Sequence, residues 1–221
     1  MDVLLFSTIS LDSACAVLRE VFRNNSVTSR AGAGRRLRQR GSVCRGQRLS
    51  IRYQRTRMSI VTTYLEMHSP DQLRAARYAD ERFQIRQKKQ ADWRFNRDLY
   101  FAVGERWSWI DKRPWTDEQW KDYGLAPDLR TFGAYHGDSL AGYYELRRDN
   151  EGGVEIAYLG LLPAFWGRGF GGALLANAIE EAWRMSPSVT RVWVHTCTRD
   201  HPRALANYQA RGMAIYKVEN E

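Results

Sequence analysis

Phe165-Trp166-Gly167-Arg168-Gly169-Phe170-Gly171-Gly172 joins a stretch that reads as a buried strand to one that reads as a helix. Upstream, Val154-Glu155-Ile156-Ala157-Tyr158-Leu159-Gly160-Leu161-Leu162 is short, apolar and closed by Pro163, the pattern of a buried strand. Downstream, Leu174, Leu175, Ala178, Ile179, Ala182 and Trp183 recur at helical spacing, so the helix starts at or just after the glycines. Glycine tolerates positive φ and lets a ligand approach the backbone. The first turn of a helix adds unpaired N–H groups and the positive end of its dipole. The guest that such a junction fits is a phosphate or pyrophosphate.

Two nucleotide motifs share these letters; one fails in its residues and the other in its context. The P-loop requires Lys-Ser or Lys-Thr after its last glycine, and none follows Gly172. Gly167, Gly169 and Gly172 satisfy G-x-G-x-x-G. A dinucleotide fold, however, needs an acidic residue at the end of the next strand, and Arg191-Val192-Trp193-Val194-His195-Thr196 ends in neutral residues. The chain left after that strand is too short for a doubly wound sheet.

The formal charge of +9 is confined to one end of the chain. Residues 1–57 hold 12 Arg, no Lys and 3 acidic residues, and the remainder holds 22 of each sign. The basic balance therefore says nothing about a nucleic-acid surface on the folded part. Ala31 to Arg57, rich in Arg, Gly, Gln and Ser, has too few apolar residues for a core and is expected to be disordered. Leu11 to Phe22 can form an isolated amphipathic helix. Three readings of this first quarter stand side by side: translated sequence upstream of a true start at Met58, an organellar transit peptide, and a nucleic-acid-binding arm. No secretory signal or membrane span is read, and Cys15, Cys44 and Cys197 show neither pairing nor metal spacing, so a cytoplasmic setting is expected. No metal, membrane or nucleic-acid partner is expected, and a homodimer is left open.

From Met58 to Glu221 the chain reads as one domain. Val61 to Met67 alternates as a strand, and Ser69-Pro70-Asp71-Gln72 carries the signature of a helix start. Phe95, Leu99 and Val103 mark a helix that ends near Gly104, and Thr116-Asp117-Glu118-Gln119 opens a short helix carrying Trp120. Thr131–His136 and Leu140–Arg147 flank Gly137-Asp138-Ser139 as a hairpin, followed by the strand before the glycines. Near the end, Pro202 suits a first helical position, Leu205 and Tyr208 share a face, Gly212 suits a C-cap, and Met213–Val218 reads as a terminal strand. The expected class is α+β, with a mixed, mostly antiparallel sheet flanked by helices.

These motifs resemble the GCN5-related N-acetyltransferases, the GNAT superfamily. Gly169 and Gly171 match the glycines of the family's acyl-CoA loop, and Leu159 to Pro163 matches its lead-in. Trp166 stands where Arg or Gln is usual, with Arg168 as the cation inside the loop. Ala204, Tyr208 and Gly212 match the later Asn-x-x-Ala-x-x-x-Tyr-x-x-x-Gly pattern, and His201 stands at its Asn position.

The resemblance implies acetyl-CoA as co-substrate, bound by Leu161, Leu162, Trp166, Gly167, Arg168, Gly169, Phe170, Gly171, Gly172 and His201. It also implies transfer of acetyl to a primary amine of a small molecule or peptide, with Glu155 as general base and Tyr208 as the acid that protonates the CoA thiolate. A non-catalytic acyl-CoA sensor of the same fold is the alternative. Each residue also has a plainer reading: an ion-paired Glu155, a core Tyr208, a helix-capping His201, and a structural His195 and Cys197. Trp107, Trp109, Trp115 and Trp120 fall where the family builds its acceptor pocket, although aromatics are ordinarily core.

Overall fold

The computed structural model describes residues 59–107 and 109–220. The extension over residues 1–57, with its expected helix at Leu11 to Phe22 and with Cys15 and Cys44, lies outside the described residues.

Seven strands form one sheet: β1 (Val61–Met67), β2 (Phe83–Gln87), β3 (Leu129–His136), β4 (Ser139–Arg148), β5 (Gly153–Leu161), β6 (Arg191–Cys197) and β7 (Ala214–Asn220). Their order is β2-β3-β4-β5-β6-β1-β7. Among the described residues four helices flank it: α1 (Trp93–Gly104), α2 (Asp117–Gly124), α3 (Phe170–Trp183) and α4 (Ala204–Ala210). All neighbouring strands are antiparallel except β5 and β6. The α+β class with a mixed, mostly antiparallel sheet is therefore as the sequence leads one to expect. Among the described residues, no helix is long and apolar enough to cross a membrane.

Local chemistry explains most of the boundaries. The Asp92 carboxylate accepts from the Phe95 N–H at the start of α1 (3.3 Å), and Thr116 and Gln119 form the capping box read at the start of α2. The Ser69–Gln72 capping box also forms, but the helix expected from it does not. The turn is a single 3₁₀ turn, Pro70–Gln72, and Leu73 is already extended. Tertiary contact overrides the local signal here, because the Arg74 N–H donates to the carbonyl of Arg211 (3.0 Å) and carries the chain past α4. β2 is a strand that the sequence reading did not anticipate. Its apolar signal is only Phe83 and Ile85, spaced by two.

The two faces of the sheet are covered differently. On one face, α3 places Leu174, Leu175, Ala178 and Ile179 against Leu65, Leu146, Val154, Ile156, Val192 and Val194, all essentially buried. Each such Leu, Ile or Val side chain contributes about 1.5–3 kcal/mol by leaving water. On the other face, α1 and α2 cover β3 to β5 with an aromatic cluster of Trp93, Tyr100, Trp120 and Tyr123. Strand alternation sends Val154 and Ile156 to the α3 side and Glu155 to the α1/α2 side. The register with β4 then shifts: Leu146 faces Ile156, the next residue back, Glu145, faces Tyr158, and Ala157 is left over. This bulge places Tyr158 on the same face as Glu155, which strict alternation forbids.

Candidate functional site

Gly167 and Gly169 both have positive φ, +72° and +85°, and Gly169 is the N-cap of α3 without any side-chain cap. The first N–H groups of α3 therefore have no side chain to satisfy them, which is the condition for anion binding. A Cβ on Gly167 would meet nothing within 4 Å, so this part of the loop is open to an incoming group. Phe170 is wholly buried, and only its backbone can serve a ligand. The Arg168 guanidinium lies over the rings of Phe165 and Phe170, at 5.2 and 5.1 Å. The Trp166 indole donates to the carbonyl of Leu161 (2.7 Å) and packs against Trp107 (5.2 Å). The Leu162 N–H donates to Ala141.

Arg211, which the sequence reading passed over, reaches this junction. A Cβ on Gly172 would lie 3.1 Å from its Nη1, and its Nε is buried without a hydrogen-bond partner among the described residues. A guanidinium next to the positive end of a helix is electrostatically unfavourable unless an anion joins them. From the neighbouring helix α4, Asn207 donates to the carbonyl of Gly171 (3.2 Å) and ties α4 to α3.

β5 and β6 are paired only from Gly153/Arg191 to Glu155/Trp193, and both strands continue beyond. Past Glu155 they part. Glu155 is the last paired residue on β5, with His195 two residues beyond its partner on β6. The Glu155 Oε1 lies 3.5 Å from His195 Nδ1, and the carboxylate side chain is 21% exposed against 48% for the imidazole. The Glu155 carboxylate raises the His195 pKa, burial opposes it, and the charges of Asp200 and Asp111 reinforce the rise. His201 accepts from the Arg203 N–H on its Nδ1 (3.1 Å) and packs against Trp107 (5.1 Å), so it caps the turn before α4. Tyr208 is buried on α4. Burial, then the Asp200 charge, raises its pKa, so the phenol stays protonated at neutral pH.

Beside the parting, Asp111 accepts from the hydroxyls of Tyr100 (2.7 Å) and Tyr158 (2.8 Å) and pairs with Lys112 (3.0 Å). Burial pushes the Asp111 carboxyl up, but these hydrogen bonds outweigh it and hold it below its usual range. The Lys112 ammonium lies 4.5 to 5.0 Å from the ring centres of Trp115, Tyr123 and Tyr158. Trp109 packs on Tyr158 (4.9 Å), whereas Trp120 is core. Beneath them Glu145 is fully buried, accepting from Asn96 (2.8 Å) and from the Tyr123 hydroxyl. Burial pushes Glu145 up to about 7, against the pull of those hydrogen bonds. No sequence motif flags Glu145, because its burial depends on helices far away in the chain. Among the described residues no group of His, Cys, Asp and Glu side chains could hold a metal ion.

Comparison with known proteins agrees with this architecture. The profile of the Acetyltransferase (GNAT) family matches residues 86–213, more than half of the chain. The fold is similar to that of a GCN5-related N-acetyltransferase from Sphaerobacter thermophilus, at 18% identity and TM-score 0.57, covering 72% of this chain and 50% of that one. It is also similar to a GCN5-related N-acetyltransferase from Kribbella flavida, at 14% identity and TM-score 0.53, covering 72% of this chain and 58% of that one. The chain thus covers 50% and 58% of the length of these two proteins. No curated protein matches it. With the family profile lying across the strand, glycine loop and helix of the candidate site, this chain belongs to the GNAT acetyltransferase family.

Proposed function

We propose that the protein is an N-acetyltransferase that moves an acetyl group from acetyl-CoA to a primary amine. The observation that carries this reading is the uncapped, glycine-led N-terminus of α3 beside the parting of β5 and β6, with Arg211, whose buried Nε has no partner among the described residues, at its side. The pyrophosphate rests on the backbone of Gly167 to Gly172. Arg211, together with Arg168, supplies the cation that Trp166 cannot. The pantetheine lies along the free edge of β5 leading to Leu161 and Leu162, with His201 at the rim.

In the reaction the acceptor amine gives up a proton to Glu155 or to a group that Glu155 orients. The amine nitrogen bonds to the thioester carbon, a strand N–H steadies the oxyanion, and the C–S bond breaks. Tyr208, kept protonated by its burial, gives its proton to the departing thiolate. Binding is tested by isothermal titration with acetyl-CoA, and turnover by release of free CoA thiol against a panel of amines. Saturable binding with amine-dependent thiol release is the expected result. Binding without release from any amine would make the protein an acyl-CoA sensor, and absence of binding would overturn the reading.

A further inference from the structure

We infer that the acceptor enters as a primary alkylammonium over the outer edge of His195, and that His195, oriented by Glu155, is the group that removes its proton. This rests on the acetyl-transfer reading and assigns Glu155 a positioning role.

Accessibility is the first argument. Glu155 sits at the last paired register of β5 and β6, with its carboxylate mostly covered, whereas the imidazole beside it is about half exposed at the mouth of the parting. An amine arriving from solvent on this face meets the ring before the carboxylate. Tautomer is the second. A carboxylate 3.5 Å from Nδ1 favours the proton on that nitrogen by its charge, which leaves the lone pair of Nε2 free as a base. The third is charge. The groups around the ring from neighbouring elements are Glu155 on β5, Asp200 after β6, Asp111 from the loop between α1 and α2, and Tyr64 on β1, whose ring lies 5.8 Å away. The carboxylates favour a cation, and this face already holds one, the Lys112 ammonium against the Tyr158 ring. An acceptor drawn in as an ammonium is not nucleophilic until it loses a proton, so the site that attracts it also needs a base.

The step balances as follows. Nε2 takes one proton from R–NH₃⁺, and the amine lone pair forms the C–N bond. As the C–S bond breaks, the second amine proton is lost to solvent and Tyr208 protonates the thiolate, regaining its own proton from water. His195 then returns its proton to solvent, so that one proton is released overall.

The experiment measures acetyl transfer against pH with the full chain, using primary alkylamines, α,ω-diamines and a lysyl peptide. In parallel, NMR follows the titration of the His195 ring. His195→Gln is expected to lower turnover about 10²-fold, the usual contribution of a positioned base, with acetyl-CoA affinity unchanged. In the wild type the acidic limb of the rate profile should coincide with the ring titration. Glu155→Gln should move both to lower pH, and Glu155→Asp should restore them in part. An active wild type beside an equally active His195→Gln variant, or an acidic limb that stays put in Glu155→Gln, overturns the inference alone. A wild type that binds acetyl-CoA and acetylates none of these amines overturns the acetyl-transfer reading, and this inference with it.

Discussion

Tyr208 and Glu145 show how the same cause, burial, has different consequences at different residues. Tyr208→Phe keeps the ring in the core and removes only the hydroxyl. Turnover should therefore fall by about 10²-fold while acetyl-CoA affinity and thermal stability barely move, as checked by steady-state kinetics, titration and melting. Glu145 titrates near 7 when folded and near 4.5 in a model peptide. Between those values the folded state binds the extra proton, so the contribution is fully present below about pH 4.5 and is lost as pH rises through about 7. The loss amounts to about 3 kcal/mol. The stability of Glu145→Gln relative to wild type should rise by about that amount from about pH 5 to about pH 8, in denaturant melts that compare the two proteins. A constant difference would mean that the carboxyl stays in one protonation state throughout. Tyr208 entered as a candidate acid through the family pattern that it, Ala204 and Gly212 match. Glu145 was not legible in the sequence, because a Glu in an alternating strand reads as solvent-facing until α1 and α2 are known to cover it.

At the level of elements, the junction of β5 and α3 offers a clean test of the anion site. Gly171 lies in the first turn of α3, and the nearest atom to a Cβ added there is 4.0 Å away, so Gly171→Glu brings a carboxylate to the phosphate seat without crowding the fold. Acetyl-CoA binding should be lost with the melting curve retained. Arg211→Met, which keeps a flexible apolar stem, should weaken binding about tenfold or more and flatten its salt dependence, because a charge-assisted hydrogen bond to phosphate is removed. Unchanged affinity in either folded variant would place the phosphates elsewhere. The strand, the glycines and the start of α3 could all be read from periodicity and composition. The parting of β5 and β6 could not, because it depends on where pairing between two strands stops.

On the scale of the whole molecule, the unexpected feature is β1, which lies between β6 and β7 rather than at an edge and pairs with both along most of its length. The family profile spans residues 86–213 and so leaves out β1 and β7, yet β1 sends Leu65 and Met67 into the core. A chain shortened to begin at Met58 should melt cooperatively and bind acetyl-CoA as the full chain does. One beginning at Ser69, which removes β1, should fail to fold, because β6 and β7 would face each other across an empty strand position. Circular dichroism melts and titration of both forms check this, and a cooperative melt of the shorter one would refute it. By itself the sequence determined the α+β class, the glycine loop before α3, the starts of α2 and α3 and the family resemblance, since each rests on chemistry within a few residues. Only the tertiary structure decided that β1 runs through the middle of the sheet, that the Ser69 turn stops after one turn, that Ala157 bulges to bring Tyr158 beside Glu155, and that Arg211 and His195 reach the site. Those features depend on which distant segments pair and pack, and local propensity carries no record of that.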